Sequence, residues 1–213
     1  MNVLFVLDHP YTIASAADVP HRRSFSAAVA DAAIRGARTG GHEVDLIDLA
    51  ADGFQPAMTR EDLVAWRRGD VVDPLVRDYQ RRLLAAEHLV FVFPVWWEAM
   101  PAATKGFLDR VLTKNVIYEE RTDARGNPFR SRMTALAGVS VLSVMTTPDK
   151  AYRWWYRDPL TKILFKGTFG KIGVRNLRWT NYAGVERCGT QRRERMLRDT
   201  ERAFACLRTR ARS

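Results

Sequence analysis

The chain has 213 residues, 46% hydrophobic and 27% charged, the balance of a soluble globular domain built around one core. Its formal net charge of +10 raises nucleic acid and anionic lipid as partners. Much of the arginine, however, lies on one face of a C-terminal helix in "VERCGTQRRERMLRDTERAFACLRTRARS", where Met196, Leu197, Thr200, Ala203, Phe204 and Leu207 recur at helical spacing. No nucleic-acid motif accompanies that face, so it is read as a solvated surface that adds a salt-sensitive attraction for phosphorylated cofactors. No apolar run approaches the roughly 18 to 20 residues that span a bilayer, and no basic region precedes the first apolar stretch. A cytoplasmic protein without membrane insertion is expected. Cys188 and Cys206 are too few for a disulfide framework and too far apart for a short metal-ligand spacing, so they are read as ordinary thiols and no metal is expected.

In chain order, "NVLFVL" (2–7) is a continuous apolar run bounded by Asp8, His9 and Pro10, which suits a central strand buried on both faces. "SFSAAVADAAIRGART" (24–39) carries a helical stripe of Phe25, Ala28, Val29, Ala32 and Ala33, with Ser24 or Ser26 as cap and Gly40 and Gly41 as the stop. "HEVDLIDLA" (42–50) reads as a second strand, and 54–69 as a long, partly helical connection. A helix over 73–87 has Asp73 as cap and Pro74 in its first turn, and it leads into a strand over 88–93. Another helix follows over 100–114, then a polar loop or hairpin over 119–132 containing "RGNP". Segment 136–149 supplies a fourth strand and 177–185 a shorter, more polar fifth before the arginine-rich helix. The alternation predicts one α/β domain with an open parallel sheet between two helical layers. Ligands in such folds bind beyond the carboxyl ends of the strands, which makes three loops the candidate site.

Each loop has a chemical reading beside a purely structural one. In the first, the helix start at Ser24 and Ser26 offers free N–H groups and a positive dipole end to a phosphate, with Arg22 and Arg23 nearby; equally, Ser24 is only a helix cap. In "PVWWEAM", adjacent tryptophans follow directly on a buried strand. Neighbours on a strand face opposite ways, so a single core does not bury both. Either a planar heterocycle packs on Trp96 or Trp97 while N–H groups just after Pro94 bond its polar edge, or the rings pack under helices or against a second copy. In the third loop, "AYRWWYRDP" reads as a lid, a dimer contact or a buried helix start.

The stretch "FPVWWEAMPAATKGFLDRVLTKNVIYEE" (93–120) resembles the motif of the flavodoxin-like NAD(P)H:quinone oxidoreductases, the flavodoxin-2 family. The first strand ending in His9, the "SF" helix start and the strand ending in Thr146 and Thr147 extend the likeness over almost the whole chain. The resemblance implies a flavodoxin-like three-layer sandwich with a five-stranded parallel sheet in the order 2-1-3-4-5, tightly bound FAD or FMN, and NAD(P)H as co-substrate. It also implies a quinone or related small-molecule acceptor, a ping-pong cycle and a homodimer. Carried over by position, His9, Ser24, Phe25 and Ser26 contact the flavin phosphate. Pro94, Val95, Trp96, Trp97 and Glu98 border the ring system, largely through backbone groups. Thr146 and Thr147 lie along its pyrimidine side or ribityl chain, Pro148 and Asp149 follow in the same cofactor-binding loop, and Tyr152 falls near a family tyrosine beside the flavin that assists charge relay. The chain departs from the family in its long loop over 10–23, which contains His21, a second candidate proton donor with Tyr152. It departs again at Pro148 and Asp149, where the family commonly has two glycines. Two other readings remain: an ancillary or regulatory flavoprotein acting on a partner protein, and a biosynthetic flavoenzyme dedicated to one aromatic metabolite.

Overall fold

The computed structural model describes residues 1–19, 23–122, 126 and 128–208. Five parallel strands form the sheet: β1 (Asn2–Leu7), β2 (Glu43–Asp48), β3 (His88–Pro94), β6 (Gly138–Met145) and β7 (Leu177–Ala183), in the order β2-β1-β3-β6-β7. This is the expected 2-1-3-4-5 order, because β4 (Tyr118–Glu119) and β5 (Arg130–Ser131) form a separate antiparallel hairpin. Strand periodicity divides the apolar side chains between two layers. Val3, Phe5, Leu7, Val90 and Val92 pack against α1 (Phe25–Thr39) and α6 (Thr190–Ala205), while Leu4, Val6, Leu89, Phe91 and Phe93 face the other layer. That second layer contains α3 (Pro74–Ala85) and α4 (Ala102–Val111).

The predicted caps are present. Ser24 accepts the Ala27 N–H at the start of α1, and Asp73 accepts that of Leu75 ahead of Pro74. The connection over 54–69 contains α2 (Arg60–Arg68), started by a reciprocal Thr59–Asp62 capping box and ended by left-handed Gly69. The α1 and α6 backbones approach closely at Gly36, where a Cβ would lie 2.1 Å from the Glu201 carbonyl oxygen. Of the stripe expected on α6, Thr200 and Phe204 are buried and Ala203 is exposed.

The segment between β6 and β7 holds two helices that the sequence pattern did not separate. One is the short α5 (Asp149–Trp154); the other is a π-helix over Thr161–Gly170. Buried Leu160, Leu164 and Phe169 seat this segment on the α3/α4 layer.

Candidate functional site

The site begins where β1 and β3 end side by side. The Asp8 N–H donates to the Val92 carbonyl at 2.9 Å. The Asp8 carboxylate accepts both the N–H and the hydroxyl of Thr104, at 2.6 and 2.7 Å, in the first turn of α4. Burial raises the Asp8 pKa, and the two Thr104 bonds oppose that shift. A carboxylate at a helix N-terminus is also favoured by the helix dipole. Asp8 therefore fixes the β1 end against α4, a role the sequence reading missed although "DHP" marked the strand boundary.

Beyond it, the His9 Nδ1 lies 3.0 Å from the Tyr11 backbone nitrogen, and the two rings stack with centroids 5.7 Å apart. Nδ1 also lies 3.3 Å from the Tyr11 carbonyl, so the ring either accepts the Tyr11 N–H and carries its hydrogen on Nε2, a donor suited to an anion, or donates from Nδ1 to that carbonyl. Burial lowers the His9 pKa, opposed by the Tyr11 backbone and by Asp8 and Asp48. Ser24, Phe25 and Ser26 are all buried at the start of α1. The Ser24 hydroxyl is occupied as a cap, but the N–H groups of Phe25 and Ser26 have no partner among the described residues. The Phe25 ring meets Tyr182 edge-on at 6.0 Å. His21 lies outside the described residues, as does Arg22.

The double tryptophan has a different geometry from the one expected. Trp96 and Ala99 exchange backbone hydrogen bonds of 3.1 Å in both directions, and Trp97 and Glu98 have φ of 51° and 60°. This is a two-residue turn of type I′, a shape that favours Gly or Asn at both central positions. Holding two ordinary residues there costs about 1 kcal/mol each. Trp96 is 47% exposed and Trp97 is 99% exposed, so neither ring enters the core, contrary to the expectation that one would. The reason is that Trp97 has left the strand conformation and no longer alternates with its neighbour. The N–H groups immediately after Pro94 are also not available as expected: Val95 donates to Val144 at 2.7 Å and Trp96 to Ala99. Those of Trp97 and Glu98 have no partner among the described residues.

Three contacts hold this turn. The Thr147 hydroxyl donates to Glu98 Oε1 at 2.6 Å. The Tyr152 hydroxyl donates to the Glu98 carbonyl at 2.9 Å and accepts the Leu160 N–H at 3.2 Å. The Tyr152 carbonyl accepts the N–H of Asp158, part of a second left-handed pair, Arg157 and Asp158, with φ of 58° and 57°. Tyr152 thus connects both strained turns. It is 0% exposed, and burial pushes its pKa up to about 12. With both hydrogen-bonding directions of its buried phenol in use, Tyr152 positions the turn. Glu98 Oε2 is buried without a partner among the described residues. An orphaned acceptor of this kind, beside free backbone donors, suits a planar ligand with N–H and C=O groups along one edge.

In the third loop, Thr146 and Pro148 are exposed and Thr147 is bound to Glu98. Asp149 accepts hydrogen bonds from Asn181 and Arg153, both at 2.8 Å, and these draw its pKa down against the effect of burial. Its carboxylate therefore secures α5 to β7. The structure thus brings the β3 turn and the β6 loop together through Glu98, and ties the β1 end to α4 through Asp8.

Comparison with known proteins agrees with this architecture. A family model described as a flavodoxin-like fold (flavodoxin-2) matches residues 1–205. An uncharacterized NAD(P)H oxidoreductase of Haemophilus influenzae is 23% identical over 197 residues, 92% of this chain and 91% of that protein. NAD(P)H dehydrogenase [quinone] 1 of Rattus norvegicus is 30% identical over 133 residues, which cover 54% of this chain and about half, 48%, of the rat protein. Among solved structures, an NAD(P)H:quinone oxidoreductase from Methanothermobacter marburgensis superposes with a TM-score of 0.79 at 23% identity, covering 98% of this chain and 99% of that one. The chain belongs to the flavodoxin-2 family and has its flavodoxin-like fold.

Proposed function

We propose that the protein is a flavin-dependent NAD(P)H oxidoreductase of the cytoplasm that reduces a quinone or a related conjugated acceptor by a ping-pong cycle. The observation that carries this reading is the Trp97–Glu98 turn, held left-handed by Thr147 and Tyr152 with the Glu98 Oε2 unpartnered among the described residues. Strain of this kind persists where the surrounding structure over-determines it and is concentrated at ligand sites.

The residues present fit a flavin. His9 Nε2 and the N–H groups of Phe25 and Ser26 would hold its phosphate at the positive end of α1. The turn N–H groups of Trp97 and Glu98 would meet the carbonyl edge of its ring system, and Glu98 Oε2 would accept its ring N–H. Pro94, Val95 and Trp96 would border the ring, with Thr146 and Thr147 along its pyrimidine side. Bound flavin supplies a two-electron centre that exchanges hydride with a nicotinamide and then with the acceptor. The chain's own contribution is placement: Asp8, Thr147 and Tyr152 fix the loops so that donor and acceptor take turns at one surface.

The net reaction, NAD(P)H plus H⁺ plus quinone giving NAD(P)⁺ plus hydroquinone, consumes one proton. With Tyr152 sealed in the protein, that proton comes from solvent or from His21. The reading includes a homodimer, in which the fully exposed Trp97 ring offers an apolar surface to the second copy. Either FAD or FMN satisfies this assignment. The test is NAD(P)H oxidation by flavin-loaded protein against a panel of quinones, with sedimentation for the oligomer. Quinone-dependent oxidation with parallel-line kinetics supports the reading; a protein that takes up neither flavin and leaves NAD(P)H unoxidised overturns it.

A further inference from the structure

An open groove of about 680 Å³ lies against α5, lined by Asp149, Lys150, Ala151, Arg153, Trp154 and Trp155. Its volume falls within the range of small-molecule sites. Trp154 and Trp155 are 88% and 80% exposed, so the walls are two wide aromatic surfaces left in water. The helix that ends in Trp154, with Trp155 just past it, starts two residues after Thr147 and includes Tyr152, and the Thr147 and Tyr152 side chains hold Glu98. The helix that lines this space is therefore tied to the proposed flavin turn through Tyr152, which does not itself line it.

Its charge is one-sided. Asp149 is neutralised by Arg153 and also bound by Asn181, and the Arg153 guanidinium lies 4.2 Å from the Trp179 ring centroid. Those two opposite charges are committed to each other. The Lys150 side chain has no ion-pair or hydrogen-bond partner among the described residues, and neither do the exposed side chains of Arg157, Lys162 and Lys166 that follow. From 149 to 166 the sequence has five basic side chains and two acidic ones. A second copy placed on this face by two-fold symmetry would set this positive surface against itself. A neutral aromatic ligand would use the rings and leave the lysine unpaired.

We propose that this groove is an acceptor subsite selective for planar aromatic molecules that carry a negative charge, with the ring system against Trp154 and Trp155 and the anion at Lys150. The acceptor role rests on the oxidoreductase reading above; the binding preference does not.

The test is calorimetric titration of the full chain with redox-inert naphthalene-2-sulfonate and with its neutral counterpart naphthalene-2-carboxamide. The sulfonate is expected to bind about three- to fivefold more tightly at low salt, a preference that added salt and Lys150→Gln both abolish. The double variant Trp154→Ala, Trp155→Ala is expected to weaken both ligands about tenfold. These side chains are exposed, so the variants leave the core intact. Equal affinity for the two ligands, or a preference unchanged in Lys150→Gln, overturns the proposal. A tryptophan double variant that dissociates a dimer in sedimentation while binding both ligands normally also overturns it, and assigns the face to a second copy. Quinone reduction without the anion preference would remove the subsite alone. Anion preference without any NAD(P)H oxidation would remove the acceptor role and the oxidoreductase reading while the subsite stands.

Discussion

In the proposed flavin site the ends of β1 and β3 serve by opposite means. At the β1 end the backbone is relaxed: Ser24 caps α1 from an extended conformation, and the anion donors are the N–H groups that any helix start leaves free. At the β3 end two residues with bulky side chains are held left-handed, and hydroxyls from the neighbouring β6 loop keep them there. A phosphate asks only for positive potential and a few donors, which local structure provides. The edge of a planar ring asks for donors and acceptors in fixed order, and here tertiary contacts impose that order on an unfavourable turn.

The largest expected effect separates strain at the carboxyl end of β3 from burial at its amino end. His88 is 0% exposed, its Nε2 lies 2.9 Å from the Ser140 hydroxyl, and burial, assisted by Arg178 and His42, holds its pKa down at about 4. An unfolded histidine titrates near 6.5. Between the two values the unfolded chain binds more protons, so the His88 effect is absent above about pH 6.5. Stability then falls toward pH 4 by up to about 3 kcal/mol. Urea unfolding across that range should show the loss, and His88→Gln should remove that component without changing flavin binding.

Next in size is Tyr152→Phe. Removing the hydroxyl leaves the Glu98 carbonyl and the Leu160 N–H without partners, at a cost of about 2 kcal/mol in denaturant unfolding and a weaker hold on flavin. If Tyr152 instead donated a proton to the acceptor, kcat would fall with stability and flavin affinity unchanged. Ser24→Ala should cost about 1 kcal/mol through the lost cap. The smallest effect has the opposite sign. Trp97→Gly should raise the stability of flavin-free monomer by roughly 0.5 to 1 kcal/mol, because glycine relieves the left-handed strain and a 99% exposed ring gives up no core packing.

What the sequence made legible follows from periodicity. β1 and β3 are apolar runs whose alternating residues fill both layers, and Asp73, Pro74 and Ser24 are local signals that act locally. The π-helix after α5 was not legible, because its buried Leu160, Leu164 and Phe169 are spaced four and five apart and drift off a 3.6-residue template. The Trp97–Glu98 turn was hidden for a different reason: nothing in "WWEA" carries the glycine or asparagine that marks such a turn, since its conformation is set by Thr147 and Tyr152, about fifty residues away. Resemblance placed Tyr152 in the third loop but could not show that the Glu98 carbonyl and the Leu160 N–H occupy its hydroxyl.

The most direct measurement is the flavin affinity of the wild-type chain and of Glu98→Gln, with Glu61→Gln on the exposed side of α2 as control, by fluorescence titration of FMN and of FAD. Tight binding of one flavin, weakened about tenfold or more in Glu98→Gln and unchanged in Glu61→Gln, is the predicted result. Binding equally tight in all three proteins, or no binding in any, would contradict the account.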